Sequence, residues 1–271
     1  MLEAAANLAC AGAEPIAVTD CLNFGNPERP EVFWTFREVV DGIADACMVL
    51  DVPVIGGNVS FYNEPEAAGS GRAIKPTPII GMVGLLRDVG RRGRLGFQVE
   101  DVLVVLLGSG EVSLNASLHL AMAQEEDAGR PAQAGLNRAA RAIRCVRQGI
   151  LDGLLISAHD VSDGGLSVAL AEACIQGRIG ANVTLPPAGA GVKTSSAEAC
   201  FGEGPGRFIV SVKPEQAPAL EGLAKSHRVA CRVLGTVGGE SLRIRGADGQ
   251  APETMELTVR ELTDAWESLE V

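Results

Sequence analysis

In the first ninety residues, apolar positions switch between a helical and a strand period. Leu2, Ala5, Ala6, Leu8 and Ala9 recur at helical spacing, and this helix ends near Gly12. PIAVTD reads as a short buried strand, and CLNFGNPERP as a turn-rich loop. Glu31 to Leu50 predicts an amphipathic helix, with Val32, Phe36, Val39, Val40, Ile43, Cys47 and Leu50 on its apolar stripe. VPVIGG is a second strand running into a Gly-rich loop, 64–72 a mobile polar surface loop, and TPIIGMVGLL a third strand. DVGRRGR has the composition of a linker.

Beyond it the pattern predicts a second α/β unit. DVLVVLLG, LLISAHD, ANVTLP, RFIVSV, RVLGTV and SLRIRG read as strands, with a DG turn at Asp248–Gly249. Helices are expected over 113–124, 136–149, from the VSDGG turn through Cys174, and over 214–226. EEDAGRPAQAG is expected to be a loop. The tail LTVRELTDAWESLEV reads as a helix with Leu262 and Trp266 on one face. The expected organisation is one unit over 1–90 and another over 97–271. No cap precedes the first helix, so the chain is expected to begin abruptly or to be part of a longer protein.

Composition narrows the class. The chain has 271 residues, 46% apolar and 21% charged, which excludes a disordered chain, a collagen or a coiled coil. Aromatics are only 4%, so Val, Leu, Ile and Ala must fill the core. The 23 Lys+Arg against 34 Asp+Glu give a net charge of −11 with no basic tract, which argues against nucleic acid or an anionic membrane as partner. It leaves ATP open, because a divalent metal can bridge carboxylates to phosphates. No apolar run approaches the ~18 residues of a membrane helix, and the N-terminus lacks a signal peptide's basic region. Seven scattered cysteines without a CxxC pair read as small buried hydrophobes in a reducing cytoplasm.

Four segments carry candidate chemistry. Asp20 closes a buried strand, where α/β proteins build sites, though a turn aspartate satisfying local N–H groups is an equal reading. Gly56 to Ser60, GGNVS, would let backbone approach a ligand; Asn58 offers an oxygen suited to Mg²⁺, and the alternative is a tight turn between strands. In AHDVSDGG, Asp163 could cap the following helix or hold a metal, and His159 beside Asp160 is either an acid–base group or structural. In CFGEGPGR, Glu203 and Arg207 bracket a Gly/Pro turn that is either a ligand-facing loop or a hairpin with a local ion pair. His119 and His227 have no sequence partner and read as structural. No Walker motif is present, and Ser113 stands where GSG at Gly108–Gly110 would need its third glycine, against a dinucleotide fingerprint.

Taken together, AVTDCLNFGNPERPEVFW, VPVIGGNVSFYNE, IKPTPIIGMVGLL and SAHDVSDGGLSVALAEAC, in that order, resemble the phosphoribosylformylglycinamidine synthase family. More narrowly they are similar to the C-terminal half of its synthetase subunit, within the wider aminoimidazole ribonucleotide synthetase superfamily. LNFGNPE and GGNVSFYNE fit this family better than selenophosphate synthetase or thiamine-phosphate kinase relatives. The resemblance implies an α/β (α+β) fold: a truncated N-terminal domain that pairs with a partner domain into a barrel, then an α+β domain with a mixed sheet.

It also implies an ATP-dependent carbon–nitrogen ligase of purine synthesis. ATP phosphorylates the amide oxygen of formylglycinamide ribonucleotide, and ammonia displaces phosphate to give the amidine. The implied partners are a glutaminase subunit, a small accessory subunit and the missing N-terminal half, which carries the catalytic histidine. By resemblance Asp20 and Gly57 contact ATP, Asn58 ligates magnesium and Ser60 contacts the ribonucleotide. One segment departs from the family: GSGEVSLNASLHL is shorter than the usual loop after its strand and lacks a GGSEY-like end. The isolated chain is expected to be inactive and, with sheet edges exposed, to self-associate.

Overall fold

The computed structural model describes residues 1–64, 73–124, 129–185, 195–246 and 255–268. The expected loop over 64–72 and the turn at Asp248–Gly249 thus lie wholly or almost wholly outside the described residues.

The first sheet has three strands in the order β2-β1-β3: β1 (Glu14–Asn23), β2 (Val54–Ser60) and β3 (Thr77–Leu85). β1 pairs parallel with β2 and antiparallel with β3. Two expectations are corrected here. Cys21–Asn23, expected in a loop, continue β1, and Asn58–Ser60, expected in the loop after VPVIGG, continue β2. Glycine and asparagine disfavour strands locally, and the ladder to β1 overrides that preference.

Helix α1 (Leu2–Cys10) buries Leu2, Ala5, Ala6, Ala9 and Cys10 against α4 (Leu136–Leu151), so its small residues permit close helix approach. Helix α2 (Pro30–Leu50) starts with proline, whose missing N–H costs nothing in a first turn. Its predicted apolar stripe is only half-buried, and Ala46 alone is fully buried. Phe36 packs at 5.3 Å from Phe24 and 5.1 Å from Phe61, and Arg144 of α4 donates to Val49 O at 3.5 Å near the other end. Phe33, Trp34, Val40 and Met48 remain exposed.

The second sheet is mixed and seven-stranded, in the order β10-β9-β6-β8-β4-β7-β5. Its strands are β4 (Leu103–Gly108), β5 (Ser157–Asp160), β6 (Ala181–Thr184), β7 (Arg207–Val212), β8 (Cys231–Val237), β9 (Ser241–Arg245) and β10 (Met255–Thr258). Only β6 and β9 run parallel. The continuous apolar run of β4 follows from burial on both faces. Val105 and Leu107 enter a core with α1, α4 and α7 (Ala217–His227), and Val104 and Leu106 enter a second core with α5 (Gly165–Gly177).

The remaining helices are α3 (Leu118–Gln124), α6 (Ser196–Phe201) and α8 (Val259–Glu267). α3 starts later than expected because Leu114–Ser117 form a turn with Ala116 at positive φ, 54°. α6 was not expected; Ser195 Oγ caps it by accepting from Glu198 N at 3.2 Å. Leu257 and Thr258, expected in the last helix, belong to β10, and Thr258 with Glu261 forms a capping box that starts α8 one residue on. Glu14 of β1 joins the two halves, accepting from Arg147 of α4 at 2.9 Å and from Arg87 at 3.4 Å.

Candidate functional site

The parallel ladder brings the four expected ligand residues together at the ends of β1 and β2. Asp20 pairs with Gly57, Cys21 with Asn58 and Asn23 with Ser60. Carboxyl ends of parallel strands are where open α/β sheets hold ligands. At about 3.3 Å per residue, Gly57 to Ser60 spans roughly 10 Å, the length of a small anionic ligand.

Asp20 and Gly57 are in close contact. A Cβ built on residue 57 would lie 2.5 Å from both Asp20 O and Asp20 Oδ1, so only glycine lets the two strands hold this carboxylate where it is. Among the described residues the side chains of Asp20 and Asn58 make no hydrogen bond. Asn23 and Asn63 instead spend theirs on Thr77 O at 3.1 Å and on Phe24 O at 3.1 Å. Uncommitted oxygens on a partly exposed strand end are free to meet a ligand.

The structure does not bring all four to one face. Leu22 and Phe24 are buried, and Phe24 and Phe61 pack on Phe36 of α2. Strand alternation therefore turns Asp20 toward α2 and turns Asn58 and Ser60 to the opposite side. Asp20 also acts on Cys47 of α2: burial raises this thiol, the N-terminal ammonium pulls it back, and Asp20 adds to the rise. β2 is the outermost strand of its sheet, so its edge gives a ligand access to both faces.

The other two motif segments converge on a second place, a cavity of about 220 Å³ lined by Asp160, Ser162, Asp163, Glu203 and Arg207 together with Leu2 of α1. Neither expected role for Asp163 as a cap nor a Glu203–Arg207 ion pair is found among the described residues. Gly164 is the N-cap of α5 without a side-chain cap, because the positive φ of Gly164, 75°, and Gly165, 72°, takes the chain into the helix directly. Glu203 Oε1 does the capping from a distance, accepting from Gly164 N at 2.9 Å and from Leu118 N of α3 at 2.8 Å. Arg207 is 7% exposed, donates to Gly202 O at 2.7 Å and leaves Nε without a partner; burial lowers it to about 10, still cationic at neutral pH.

His159, on β5, is buried next to Asp160 of the second cavity without lining it itself. Its Nδ1 lies 2.7 Å from Asp160 O and its Nε2 3.1 Å from Glu172 of α5. Burial pushes its pKa down, but the hydrogen bonds to Asp160 and Glu172 and the charge of Glu172 outweigh that and raise it to about 9. His119 stacks on Phe201 at 4.9 Å, and His227 ends α7. All seven cysteines are free.

Residues 1–86 match the family model described as AIR synthase related protein, N-terminal domain, and residues 98–246 match AIR synthase related protein, C-terminal domain. The chain therefore belongs to the AIR synthase-related family. Within it, the chain is 44% identical over 264 residues to the phosphoribosylformylglycinamidine synthase subunit PurL of Thermomicrobium roseum, covering 97% of this chain and 34% of that protein. It is 43% identical over 267 residues to PurL of Thermobifida fusca, covering 98% and 33%. It thus spans about a third of the length of these curated relatives. In fold it is similar to T. maritima PurL complexed with FGAR, with a TM-score of 0.73 at 20% identity over 97% of this chain and 43% of that one. A chain of the HypE-HypF complex shares the fold at a TM-score of 0.68 and 16% identity, over 94% of this chain and 80% of that one.

Sequence reasoning missed Asn63. Its only signal was an asparagine three residues beyond Ser60, inside the quoted motif GGNVSFYNE. No helix among the described residues is long and apolar enough to cross a membrane.

Proposed function

We propose that this chain is the C-terminal part of the synthetase subunit of phosphoribosylformylglycinamidine synthase. In that role it helps an ATP-dependent ligase convert formylglycinamide ribonucleotide and glutamine-derived ammonia to the amidine. The observation that carries the reading is the strand-end cluster: uncommitted Asp20 and Asn58 side chains beside a glycine that only close approach explains. Identity of 44% along almost the whole chain to a PurL subunit supports it. So do the fold neighbours described as T. maritima PurL complexed with ATP and with ADP.

On this reading a nucleotide lies along the open edge of β2. Gly57 meets it through backbone, Asp20 orients it from the α2 side, and Ser60 contacts the ribonucleotide from the opposite face. A magnesium ion fits only as a shared ligand. No group of three or more His, Cys, Asp or Glu side chains that could hold a metal is found among the described residues, and Asn58 offers one amide oxygen. Mg²⁺ keeps waters and phosphate oxygens as its other ligands, so one protein oxygen suffices. When bound, the ion neutralises phosphate charge during phosphoryl transfer. The two domains over 1–90 and 97–271 are read as one synthetase repeat whose cytoplasmic partners are the rest of the subunit, a glutaminase and a small accessory subunit.

Titration of ATP with Mg²⁺ into the subunit completed with its missing part tests this reading. Asp20→Ala is expected to weaken nucleotide binding at least tenfold, and unchanged binding would overturn it.

A second reading is a non-catalytic, nucleotide-holding half. The buried Arg207 guanidinium beside the second cavity favours it. It predicts a nucleotide that co-purifies with the chain, is released by acid and does not turn over.

A further inference from the structure

Asn63 follows the last residue of β2 by three positions and folds back onto both strand ends. Its Nδ2 lies 2.9 Å from Ser60 O, 3.1 Å from Phe24 O and 3.2 Å from Ser60 Oγ, and its Oδ1 lies 3.3 Å from Ser60 Oγ. Its backbone N–H donates to Phe24 O at 3.2 Å, while Phe24 N–H donates to Ser60 O at 2.9 Å. One side chain therefore ties the end of β1, the end of β2 and the Ser60 hydroxyl.

The network fixes which way the amide points. Rotated by half a turn, Oδ1 would face two carbonyl oxygens, so Nδ2 must face them. An amide nitrogen has two hydrogens, and the two carbonyls take them at the shorter distances. The Ser60 hydroxyl is then left to donate to Oδ1, which sets its proton and leaves its lone pairs for another donor. The turn between them is strained: exposed Tyr62 has φ of 60°, in the left-handed region that non-glycine residues seldom adopt. Tyr62 N–H donates to Gly25 O at 3.1 Å and its carbonyl accepts from Glu64 N at 2.9 Å, so these backbone bonds hold the turn together with those of Asn63.

We propose that Asn63 is a positioning residue for the strand-end site, aiming Ser60 Oγ at the ribonucleotide and holding the ends of β1 and β2 in register. This inference rests on the reading of Ser60 given above. Asn63 does not itself need to touch substrate.

The test uses the complete synthetase carrying Ser60→Ala, Asn63→Ala, Asn63→Asp or both alanines, with KM for formylglycinamide ribonucleotide and for ATP measured separately. Asn63→Asp keeps the volume and sets an oxygen against the two carbonyls, so it remains informative if the alanine variant does not fold. Each single variant is expected to raise the ribonucleotide KM about tenfold, leave the ATP KM within about twofold, and give a double variant little worse than either, since residues acting through one another are not additive. A normal ribonucleotide KM in both Asn63 variants, with Ser60→Ala impaired, overturns this inference alone. Additive losses, or an equal loss of ATP affinity, overturn it in favour of a purely structural role. A normal KM in Ser60→Ala overturns both it and the reading it rests on.

Discussion

Asp20 and Gly57 pair across the parallel strands β1 and β2, and the Asp20 carboxylate occupies the space that a Cβ at position 57 would need. The two residues act as one feature. Glycine admits the carboxylate, and the carboxylate excludes every other residue.

Gly57→Ala should therefore act like a mutation of Asp20. Forcing a methyl within 2.5 Å of Asp20 Oδ1 must displace the side chain or open the ladder. Overpacking of this kind costs about 1–3 kcal/mol. ATP affinity of the complete subunit should fall about tenfold, while Gly56→Ala, which has open space at its Cβ, should change it little. Equilibrium dialysis with labelled ATP checks both.

Much of this arrangement is legible in the sequence. The apolar run of β4 and the helical spacing of α1 locate the core because burial itself produces those periods. Asp20 stands out as the carboxylate that follows the apolar run of β1, although the strand continues to Asn23. What local pattern misses depends on distant partners. Asn58–Ser60 look like a loop because strand pairing to β1 leaves no mark in three residues. The apolar stripe of α2 is real, yet the structure leaves most of it half-buried, since periodicity shows which face is apolar and not what covers it. Glu203 caps two helices far away in sequence, a role that no capping-box spacing announces.

Glu203 should be a stability residue. Its carboxylate accepts from two helix N-termini, and hydrogen bonds to a charged group contribute about 1.5–3 kcal/mol each. Because Glu203 is only half-buried, Glu203→Ala is expected to cost less than that sum, roughly 2–4 kcal/mol, and Glu203→Gln, which keeps one neutral acceptor, less still. Urea denaturation followed by circular dichroism measures the difference, with an unchanged midpoint contradicting the account.

His159 sets a pH dependence. Hydrogen bonds to Asp160 and Glu172 raise its folded pKa from the ordinary 6.5 to about 9, so protonation favours the folded state. The stability it contributes is fully present below about pH 6.5 and is lost as pH rises through about 9. Between pH 6 and 10 this predicts a fall in Tm of roughly 3–6 °C beyond that of His159→Gln. Thermal melts of the two proteins side by side check it, and parallel curves would refute it.

The first sheet should be adhesive in isolation. β2 is an edge strand with Ile55 64% exposed, Ile79 and Val83 are exposed on β3, the other edge strand, and Trp34 is exposed on α2. Long apolar edges pair with other chains. Light scattering of the isolated chain should give a mass that rises with concentration. Ile55→Lys should lower that mass, and a monomer at all concentrations would contradict the prediction.

Reconstitution of turnover tests most directly whether this chain supplies part of a ligase site. This chain is mixed with the separately produced remainder of the subunit, and ADP release is followed with formylglycinamide ribonucleotide, Mg²⁺ and ammonia. Activity is expected only in the mixture, reduced by about two orders of magnitude or more in both Asp20→Ala and Asn58→Ala. An assembled mixture that releases no ADP, or one in which both variants turn over normally, would contradict it.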